Sequence, residues 1–546
     1  MKNHIKFLCI VIAVMLSVLA LSSCNKLHFK DYQNNGNTDE YGADLTQSSV
    51  FDGMEFDTNY TDPNASSSSK PTYTPEEKEE VNGIKKFYLS VKNLGAVGDG
   101  VADDTEAFEK AVHTLKNSGG VIYVPAGVYR LTRGINIPLG VTITGDSPSL
   151  KGMWSNPSVL TSAKQEQSAS TDFLKTDNFS GSWILVDHGK GDVNGTPAIR
   201  VQGNTTVSSL GFVYKEQIPV VNTVNEYPPA ISFMSTREYT YARDGVVIED
   251  IYLANPYLGI FVGTGENLKD YYVGQTTNLS LGRLRVHNIT GTSLWKSIFI
   301  RGVLDTVDVS NINLGYTNFV KSYLQYRHNN CSDIEISRAD GNNMANITLF
   351  GANIGISCVP GFEGSASIRG TGIKSYAGIG MQTCTGQYEI NDSEFAAINY
   401  SNYRANKESI GLAVLDDECV HRPHYMFDSV TISNTATGID SSSSALKINI
   451  GKNGHLVLSN SKIKAGNALE AAVTFDKLDL TFTTASIYNT SITGSGTKLA
   501  LLEKSNITAG CLQFNECTID DALMTNMSDA KIWYNNSLKT SGGAIS

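Results

Sequence analysis

The stretch at residues 93–145, NLGAVGDGVADDTEAFEKAVHTLKNSGGVIYVPAGVYRLTRGINIPLGVTITG, decides the fold. After a glycine-rich turn, apolar residues recur at helical spacing and predict one buried helix face: Ala107, Phe108, Ala111, Val112 and Leu115. Asp103 and Asp104 stand just before this helix, where a carboxylate accepts unpaired N–H groups, so we predict that they cap it rather than catalyse. Residues 121–124 are β-branched and aromatic, which is typical of a strand.

The phrases GAVGDGVADDT, GGVIYVPAGVYRL and GVTITGD together resemble the N-terminal signature of the pectate-lyase superfamily, in its rhamnogalacturonase and epimerase-like branch. The resemblance implies an all-β fold, a single-stranded right-handed parallel β-helix of the pectin-lyase type. It also implies that the helix caps the N-terminal end of the coil and that the chemistry lies elsewhere. We predict that the β-helix domain covers residues 85–546.

The composition limits the kinds of fold and partner that the chain can have. The 546 residues are 41% hydrophobic, which is enough for a sizeable core, and only 18% are charged. The formal net charge of −11 argues against a general nucleic-acid binder, so we predict no nucleic-acid partner.

The N-terminus predicts export. Lys2 and Lys6 precede an apolar run at residues 7–20, which is too short for a comfortable membrane span. Its ending, LSSC, resembles a bacterial lipobox, which implies a signal peptide at 1–23 and a lipid anchor on Cys24. The alternative is an ordinary cleaved signal with an incidental cysteine. Residues 24–84 are polar and predict a flexible tether, so the expected location is the cell envelope, with the membrane as a partner through the anchor.

A loose repeat follows the N-terminal stretch, in which a short alternating strand ends in an asparagine. The predicted turn asparagines are Asn288, Asn311, Asn434, Asn460, Asn489, Asn506 and Asn515. Asparagine tolerates a left-handed backbone, and stacked turns let its amide bond the neighbours above and below. The repeat favours a solenoid over its alternative, a β-sandwich with Asn-rich turns.

The cysteines have two interpretations. Beyond the predicted signal and anchor, they are Cys331, Cys358, Cys384, Cys419, Cys511 and Cys517. Their even number permits disulfides, but we favour buried thiols stacked on successive coils.

Enzymes of this resemblance act on polysaccharides along a groove of the middle coils, so residues 281–340 are the candidate window. It holds seven Lys or Arg and five Asp or Glu, interleaved with aromatic residues, which suits an anionic sugar chain. The predicted catalytic residues are Lys296, Arg301, Tyr326, Arg327 and His328. The predicted substrate-binding residues are Arg285, Trp295, Lys321 and Tyr323.

Three functions stay open. The first is a lyase acting on a uronate-containing glycan by β-elimination, which needs a cation for the carboxylate and a base for the α-proton. The second is a polygalacturonase-type hydrolase, which needs two carboxylates at a set separation. Asp305 with Asp308, and Asp416 with Asp417, are its candidates, although that family's other motifs are missing. The third is a non-catalytic carbohydrate binder or adhesin. We predict no cofactor and no metal site.

Overall fold

A computed structural model provides the fold of this chain. It describes residues 76–79, 85–155, 173–218, 223–235, 245–264, 268–269, 281–315, 321–359, 366–415, 423–450, 454–466, 469, 471–478, 484–494, 498–502, 511–519, 532–539 and 545. All of these lie in one unit, Pro63–Ser546. Cys24, and with it the predicted anchor, lies outside the described residues. The described helices are not long and apolar enough to cross a membrane.

Helices are few. The described part of the chain has two α-helices, α1 (Thr105–Leu115) and α2 (Lys321–Asn330). Short 3-10 helices lie at Val91–Leu94, Gly152–Ser155, Thr176–Asn178 and Tyr400–Asn402.

Strands make up most of the described chain. The first are β1 (Glu76–Glu79), β2 (Lys85–Ser90), β3 (Asp99–Asp103), β4 (Gly120–Val124), β5 (Gly127–Leu131), β6 (Ile135–Ile137), β7 (Val141–Gly145), β8 (Ser149–Leu150), β9 (Phe179–Ser180), β10 (Ser182–Val186), β11 (Ile199–Val201), β12 (Thr205–Ser208) and β13 (Gly211–Tyr214). The middle ones are β14 (Ile231–Ser235), β15 (Val246–Ala254), β16 (Leu258–Thr264), β17 (Leu281–Thr292), β18 (Lys296–Leu314), β19 (Ser332–Ala339), β20 (Asn342–Phe350), β21 (Ile354–Val359), β22 (Ala366–Ala377), β23 (Ile379–Gln382), β24 (Gly386–Asn391), β25 (Glu394–Ala397) and β26 (Ile410–Leu415). The last are β27 (His424–Asp428), β28 (Thr431–Asn434), β29 (Ser444–Ile450), β30 (His455–Ser459), β31 (Lys462–Ala465), β32 (Ala471–Leu478), β33 (Thr484–Tyr488), β34 (Ser491–Gly494), β35 (Lys498–Leu502), β36 (Cys511–Asn515), β37 (Thr518–Ile519), β38 (Ile532–Asn535) and β39 (Leu538–Lys539).

The strands stack in three parallel sheets. Sheet A runs β6, β11, β14, β16, the start of β18, β19, β21, β23, β26, β29, β32 and β35. Sheet B begins β2, β4, β7, β12 and β15, and sheet C begins β3, β5, β10 and β13. In longer strands such as β17, one strand serves B and then C. Among the described strands, only β1–β2 and β8–β9 pair antiparallel. The predicted parallel β-helix is therefore confirmed, while β1 lies within the stretch predicted to be tether.

The core follows from alternation along each strand. In β17, Leu284, Val286 and Ile289 are buried, whereas Arg285 is exposed. Because a side chain's neighbours in register point the same way, each rung adds apolar residues to one continuous core. That core extends along the described coil from Leu89 to Ile545.

Helix α1 covers apolar surface at the first coil. Its predicted apolar face is buried, and it packs against β2, β4 and β6. Its closure of the coil's end stays a prediction. Only one of the two aspartates accepts an N–H group of the helix start as predicted. Asp104 is the N-cap residue, but its Oδ1 accepts the Val97 N–H at 2.6 Å, so it braces the preceding turn. Asp103 accepts the Thr105 N–H at 3.1 Å.

Stacked turns join sheets B and C through one left-handed residue. Asn288, Asn311, Asn460 and Asn489 occupy it, with φ between 40° and 54°, as the sequence predicts. The amide of Asn489 donates to Asn460 Oδ1 at 2.8 Å, which is the predicted ladder between rungs.

Two of the predicted turn asparagines, Asn434 and Asn515, do not occupy the left-handed position. Asn434 is buried, and its amide donates to the carbonyls of Ser409 and Ser444 at 2.6 and 3.0 Å. In the rung of Asn515, the left-handed residue is Glu516, with φ 55°. Asn506 lies outside the described residues. A strand followed by an asparagine in the sequence therefore does not by itself identify the left-handed residue of the turn.

The cysteines in the described coil are thiols. Cys331, Cys358, Cys384 and Cys517 are buried thiols, which confirms that part of the favoured interpretation, while their stacking on successive coils stays a prediction. Cys419 and the side chain of Cys511 lie outside the described part.

We expect Gly291→Ala to destabilise the coil by more than the backbone strain alone. Gly291 has φ +128°, and an added Cβ would lie 2.1 Å from the Leu253 carbonyl oxygen of the rung before. Left-handed strain costs about 1–3 kcal/mol, and the clash adds to it. Thermal melting measures the loss. Gly140→Ala is the control, because it has φ +74° with nothing within 4 Å. Equal losses in both variants would contradict the importance of rung-to-rung contact.

Candidate functional site

The outer face of sheet A carries the candidate site. Phe261, Phe299 and Glu335 lie in register on β16, β18 and β19, and each lies between two inward, buried apolar neighbours. The rings of Phe261 and Phe299 are 5.2 Å apart. Alternation therefore places two aromatic rings and one carboxylate on successive rungs of the outer wall.

A buried ion pair lies on these rings. Lys296 Nζ is paired with Glu335, and the two side chains are 1% and 2% exposed. The ammonium lies 3.9 Å from the ring centre of Phe299 and 4.5 Å from that of Trp295. Burial lowers the pKa of Lys296 to about 8, although the Glu335 carboxylate opposes that shift. A lysine with this pKa is partly neutral in mildly alkaline solution and can accept a proton.

Arg301 lies on the same ring. Its guanidinium carbon is 4.6 Å from the centre of Phe299 and 5.9 Å from that of Phe261. Nη2 donates to the Leu268 carbonyl at 3.4 Å, and the residue remains partly exposed. A permanent cation thus stands beside a lysine of lowered pKa on one aromatic surface.

Three more aromatic residues, Tyr257, Trp295 and Tyr326, form what we call the aromatic shelf. Tyr257 and Trp295 each come just before a strand of sheet A, and because Leu258 pairs with Lys296 their rings are neighbours. The rings stack at 5.3 Å with an interplanar angle of 20°. Tyr326 comes from α2 and hydrogen-bonds the Tyr257 side chain. Trp295 and Tyr326 are partly exposed, so the shelf offers aromatic surface to a ligand.

Helix α2 turns its other residues away from this site. Arg327 and Asp333 are both 0% exposed, and Nη2 of Arg327 donates to both carboxylate oxygens at 3.0 Å. The same guanidinium donates to the carbonyls of Ser293 and Phe350. Tyr323 is buried and donates to the Ile218 carbonyl at 2.9 Å. These contacts attach α2 to the coil, and in this structure neither residue is open to a substrate.

His328 is also buried. Its Nδ1 lies 3.1 Å from the Ala352 carbonyl oxygen, and its Nε2 accepts the Tyr400 N–H at 3.2 Å. These partners assign the neutral form with the proton on Nδ1. Burial, with Arg404 nearby, lowers the pKa of His328 to about 4.

We expect the coil to lose stability between pH 6.5 and 4 partly through His328. An unfolded histidine binds a proton below about 6.5, whereas the folded one does so only near 4. In that interval the unfolded state binds more protons, so acidification favours it, by up to about 1.4 kcal/mol per pH unit. Thermal melting across this range measures the slope. His328→Gln removes the titration, and an unchanged slope in that variant would contradict this origin.

The remaining predicted residues are divided between sheets. Arg285 is exposed on sheet B, in register with Asp308 of β18. Lys321 begins α2, and its side chain is outside the description. Asp305 and Asp308 belong to the part of β18 on or next to sheet B, while residues 416–417 are not described. The basic window is thus not one face, although Lys296, Arg301, Trp295 and Tyr326 do come together.

The structure adds residues that the sequence reasoning missed. Tyr257 and Phe299 were not singled out, and Glu335 entered only as part of a count. A signal for Tyr257 exists, because it and Trp295 are both aromatic residues just before a sheet A strand. Within the described residues, His, Cys, Asp and Glu form no group of three or more that could hold a metal ion.

A protein-family model matches residues 88–278, and it is described as rhamnogalacturonase A/epimerase, pectate lyase-like. The match confirms the resemblance in the sequence. It includes Tyr257 but ends before Lys296, so the rest of the site lies beyond it.

Curated relatives match short stretches. The pre-neck appendage protein of Bacillus phage phi29 is 46% identical over 65 residues, 12% of this chain and 7% of that protein. A glucan 1,3-beta-glucosidase of Cochliobolus carbonum is 36% identical over 80 residues, 15% and 9% of the two chains. The chain thus spans less than a tenth of the length of these curated relatives. The similar proteins include both glycan-active enzymes and phage appendages.

Solved structures with similar folds cover more of the chain. The pre-mature gene product 12 of bacteriophage phi29 has a TM-score of 0.43 and 16% identity, covering 83% of this chain and 64% of that one. The A-module of mannuronan C-5 epimerase AlgE4 of Azotobacter vinelandii has a TM-score of 0.36 and 12% identity, with 84% and 98% covered.

Proposed function

Residues 88–278 are pectate-lyase-like, and from that premise we propose that the protein is a polysaccharide lyase acting on a uronate-containing glycan. The observation that carries the proposal is the meeting of Arg301 and Lys296 on one ring, Phe299, beside the aromatic shelf. A cation and an amine base side by side are what elimination next to a carboxylate requires.

Each group has a chemical role in this proposal. The Arg301 guanidinium pairs with the uronate carboxylate and stabilises the negative charge that develops as the C5 proton leaves. The Lys296 side chain, 1% exposed in its pair with Glu335, turns outward as the substrate binds, and its neutral amine takes that proton. The electron pair forms the C4–C5 double bond, the bond from C4 to the glycosidic oxygen breaks, and the Tyr326 hydroxyl donates a proton to the leaving oxygen. Trp295 offers its face to a sugar ring.

The number of carboxylates at the described site favours elimination over hydrolysis. Hydrolysis needs a carboxylic acid and a second carboxylate on either side of the bond. Among the described residues of the site, the carboxylate is Glu335, and it is buried in the pair with Lys296. Glu226 lies at the edge and pairs with Lys269 at 2.6 Å.

Product chemistry separates the three candidate functions. Purified protein is incubated with a panel of pectic and other acidic glycans and with a neutral β-glucan. A lyase raises the ultraviolet absorbance of an unsaturated product together with the reducing ends. New reducing ends without that absorbance would assign a hydrolase, and calorimetric binding without either signal would assign a binder.

We also propose export and lipid anchoring through Cys24, on the strength of the basic start, the apolar run and the LSSC ending. In a bacterial host, the wild-type chain should incorporate labelled fatty acid and sediment with membranes. Cys24→Ser should lose both properties. Export of an unlabelled wild-type chain would support the ordinary signal peptide instead.

A further inference from the structure

The outer row of sheet A continues from the proposed catalytic site toward the first coils. Asn136 of β6 pairs in register with Arg200 of β11, Arg200 with Ser232 of β14, and Ser232 with Phe261. The inward neighbours of Arg200 and Ser232 are buried in the core. Alternation therefore places these three polar side chains on the same outer face as Phe299.

Each of the three has a buried polar atom without a partner in the described structure: Asn136 Oδ1, Arg200 Nε and Ser232 Oγ. Elsewhere on this wall, Lys296 pairs with Glu335 and Lys447 pairs with Glu408. Ser232 is fully buried, whereas Arg200 and Asn136 are partly exposed, so the row is open to solvent at its first rungs.

Of these three residues, Arg200 indicates most clearly what the row could bind. The other buried or partly buried arginines of the described coil have carboxylates or carbonyls as partners, for example Arg130 with Asp187 at 2.7 Å and Arg404 with the Glu408 carbonyl. Burial lowers the pKa of Arg200, and within the described part of the chain no carboxylate opposes that shift. A partly buried cation without a counter-charge destabilises the free protein, and a bound anion removes that cost.

We propose that Arg200, Ser232 and Asn136 form an anion-binding subsite that takes a second carboxylate of the acidic glycan. Arg200 binds the carboxylate oxygens with its forked N–H groups, while Ser232 and Asn136 bond the neighbouring hydroxyl groups of the sugar. Three strand spacings separate Arg200 from Phe299, which is about 14 Å. The chain of the substrate therefore runs across the strands toward the first coils. This inference rests on the proposed function, because it assumes an acidic glycan at the Arg301 site.

Binding, rather than turnover, tests the subsite. Acidic oligosaccharides of increasing length are titrated into the full chain carrying Lys296→Met and Glu335→Gln, so that no substrate is consumed. Arg200→Met in this background should weaken binding of the longer oligomers about 10- to 100-fold and leave the shortest ones unchanged. Arg200→Lys should restore part of the loss. Arg369→Met is the control, because Arg369 is an exposed residue of sheet B paired with Glu389.

Stability distinguishes a binding role from a structural one. Because Arg200 has no partner to lose among the described residues, Arg200→Met should melt at the same temperature as its parent or higher. A lower melting temperature, or equal binding at every length, would overturn the subsite. Turnover by the wild type with binding independent of Arg200 leaves the lyase proposal standing alone. Arg200-dependent binding without any product by the wild type leaves the subsite and removes the lyase.

Discussion

Asp333→Ala is expected to lower the free energy of unfolding by about 3–5 kcal/mol, because it leaves the Arg327 guanidinium buried without its counter-charge. Both partners are 0% exposed, and two of the bonds between them are 3.0 Å long. The carbonyl oxygens of Ser293 and Phe350, which also accept from Arg327, are neutral and cannot replace a carboxylate. The loss should therefore appear as detachment of α2 from the coil.

Thermal melting and limited proteolysis of residues 321–330 measure this effect together. Asp333→Asn is a graded variant, because it keeps the shape and removes the charge. Glu389→Ala is the matched control: it breaks the Arg369–Glu389 pair, whose side chains are 74% and 53% exposed, and should change stability by less than about 1 kcal/mol. If Asp333→Ala melts like this control, the buried pair does not hold α2.

The elements that were predictable from sequence have local signals. Helix α1 follows from apolar residues at helical spacing, and the rungs follow from alternation and from asparagine at a left-handed turn. Asn288 and Asn460 were found in this way because their own side chains favour that backbone. Asn434 resembles them in sequence, but its amide bonds carbonyls of neighbouring segments in the interior. A local phrase does not distinguish these two environments.

Helix α2 shows why a cluster of functional residue types can mislead. Its sequence, KSYLQYRHNN, has no apolar face, so nothing local says which side packs on the coil. The side that packs carries His328 and Arg327, and arginine is a residue type that is rarely fully buried unless paired. Their partners Asp333 and Ala352 are supplied by the chain that follows α2. Of the predicted catalytic residues Tyr326, Arg327 and His328, only Tyr326 reaches the site.

The site itself depends on register between distant strands. Lys296 and Glu335 are 39 positions apart in sequence, and their pairing requires that β18 and β19 be neighbours in sheet A. Arg285 is nearer to Lys296 in sequence but lies on sheet B, because a turn separates them. The charge of residues 281–340 therefore indicates a basic region. Only the assignment of each residue to sheet A or sheet B shows which basic side chains share a face.

Lys296→Met, combined with Glu335→Gln, is expected to lower kcat/KM on the acidic glycan at least 100-fold, because it removes the proposed base. The second change neutralises the carboxylate that would otherwise stay buried and unpaired, so the fold is kept. Lys296→Arg should be equally inactive, since arginine stays protonated in proteins. Unsaturated product, followed by ultraviolet absorbance, is the measurement. Lys447→Met is the matched control: it removes a lysine from the same outer row, paired with Glu408 at 2.8 Å.

The pH profile tests the role more sharply than the loss of rate. The pKa of Lys296 is about 8, and only its neutral amine accepts a proton. The wild-type kcat/KM should therefore rise about tenfold per pH unit below 8 and level off above it. The residual activity of the double variant should lack this rise, whereas the Lys447 control should keep it. A rise that survives in the double variant would assign the base to another group, and full activity in that variant would remove Lys296 from the mechanism. A fall in rate as pH rises through 8 would require protonated Lys296, and the elimination would then need Arg301 and the lysine as two cations with the base elsewhere.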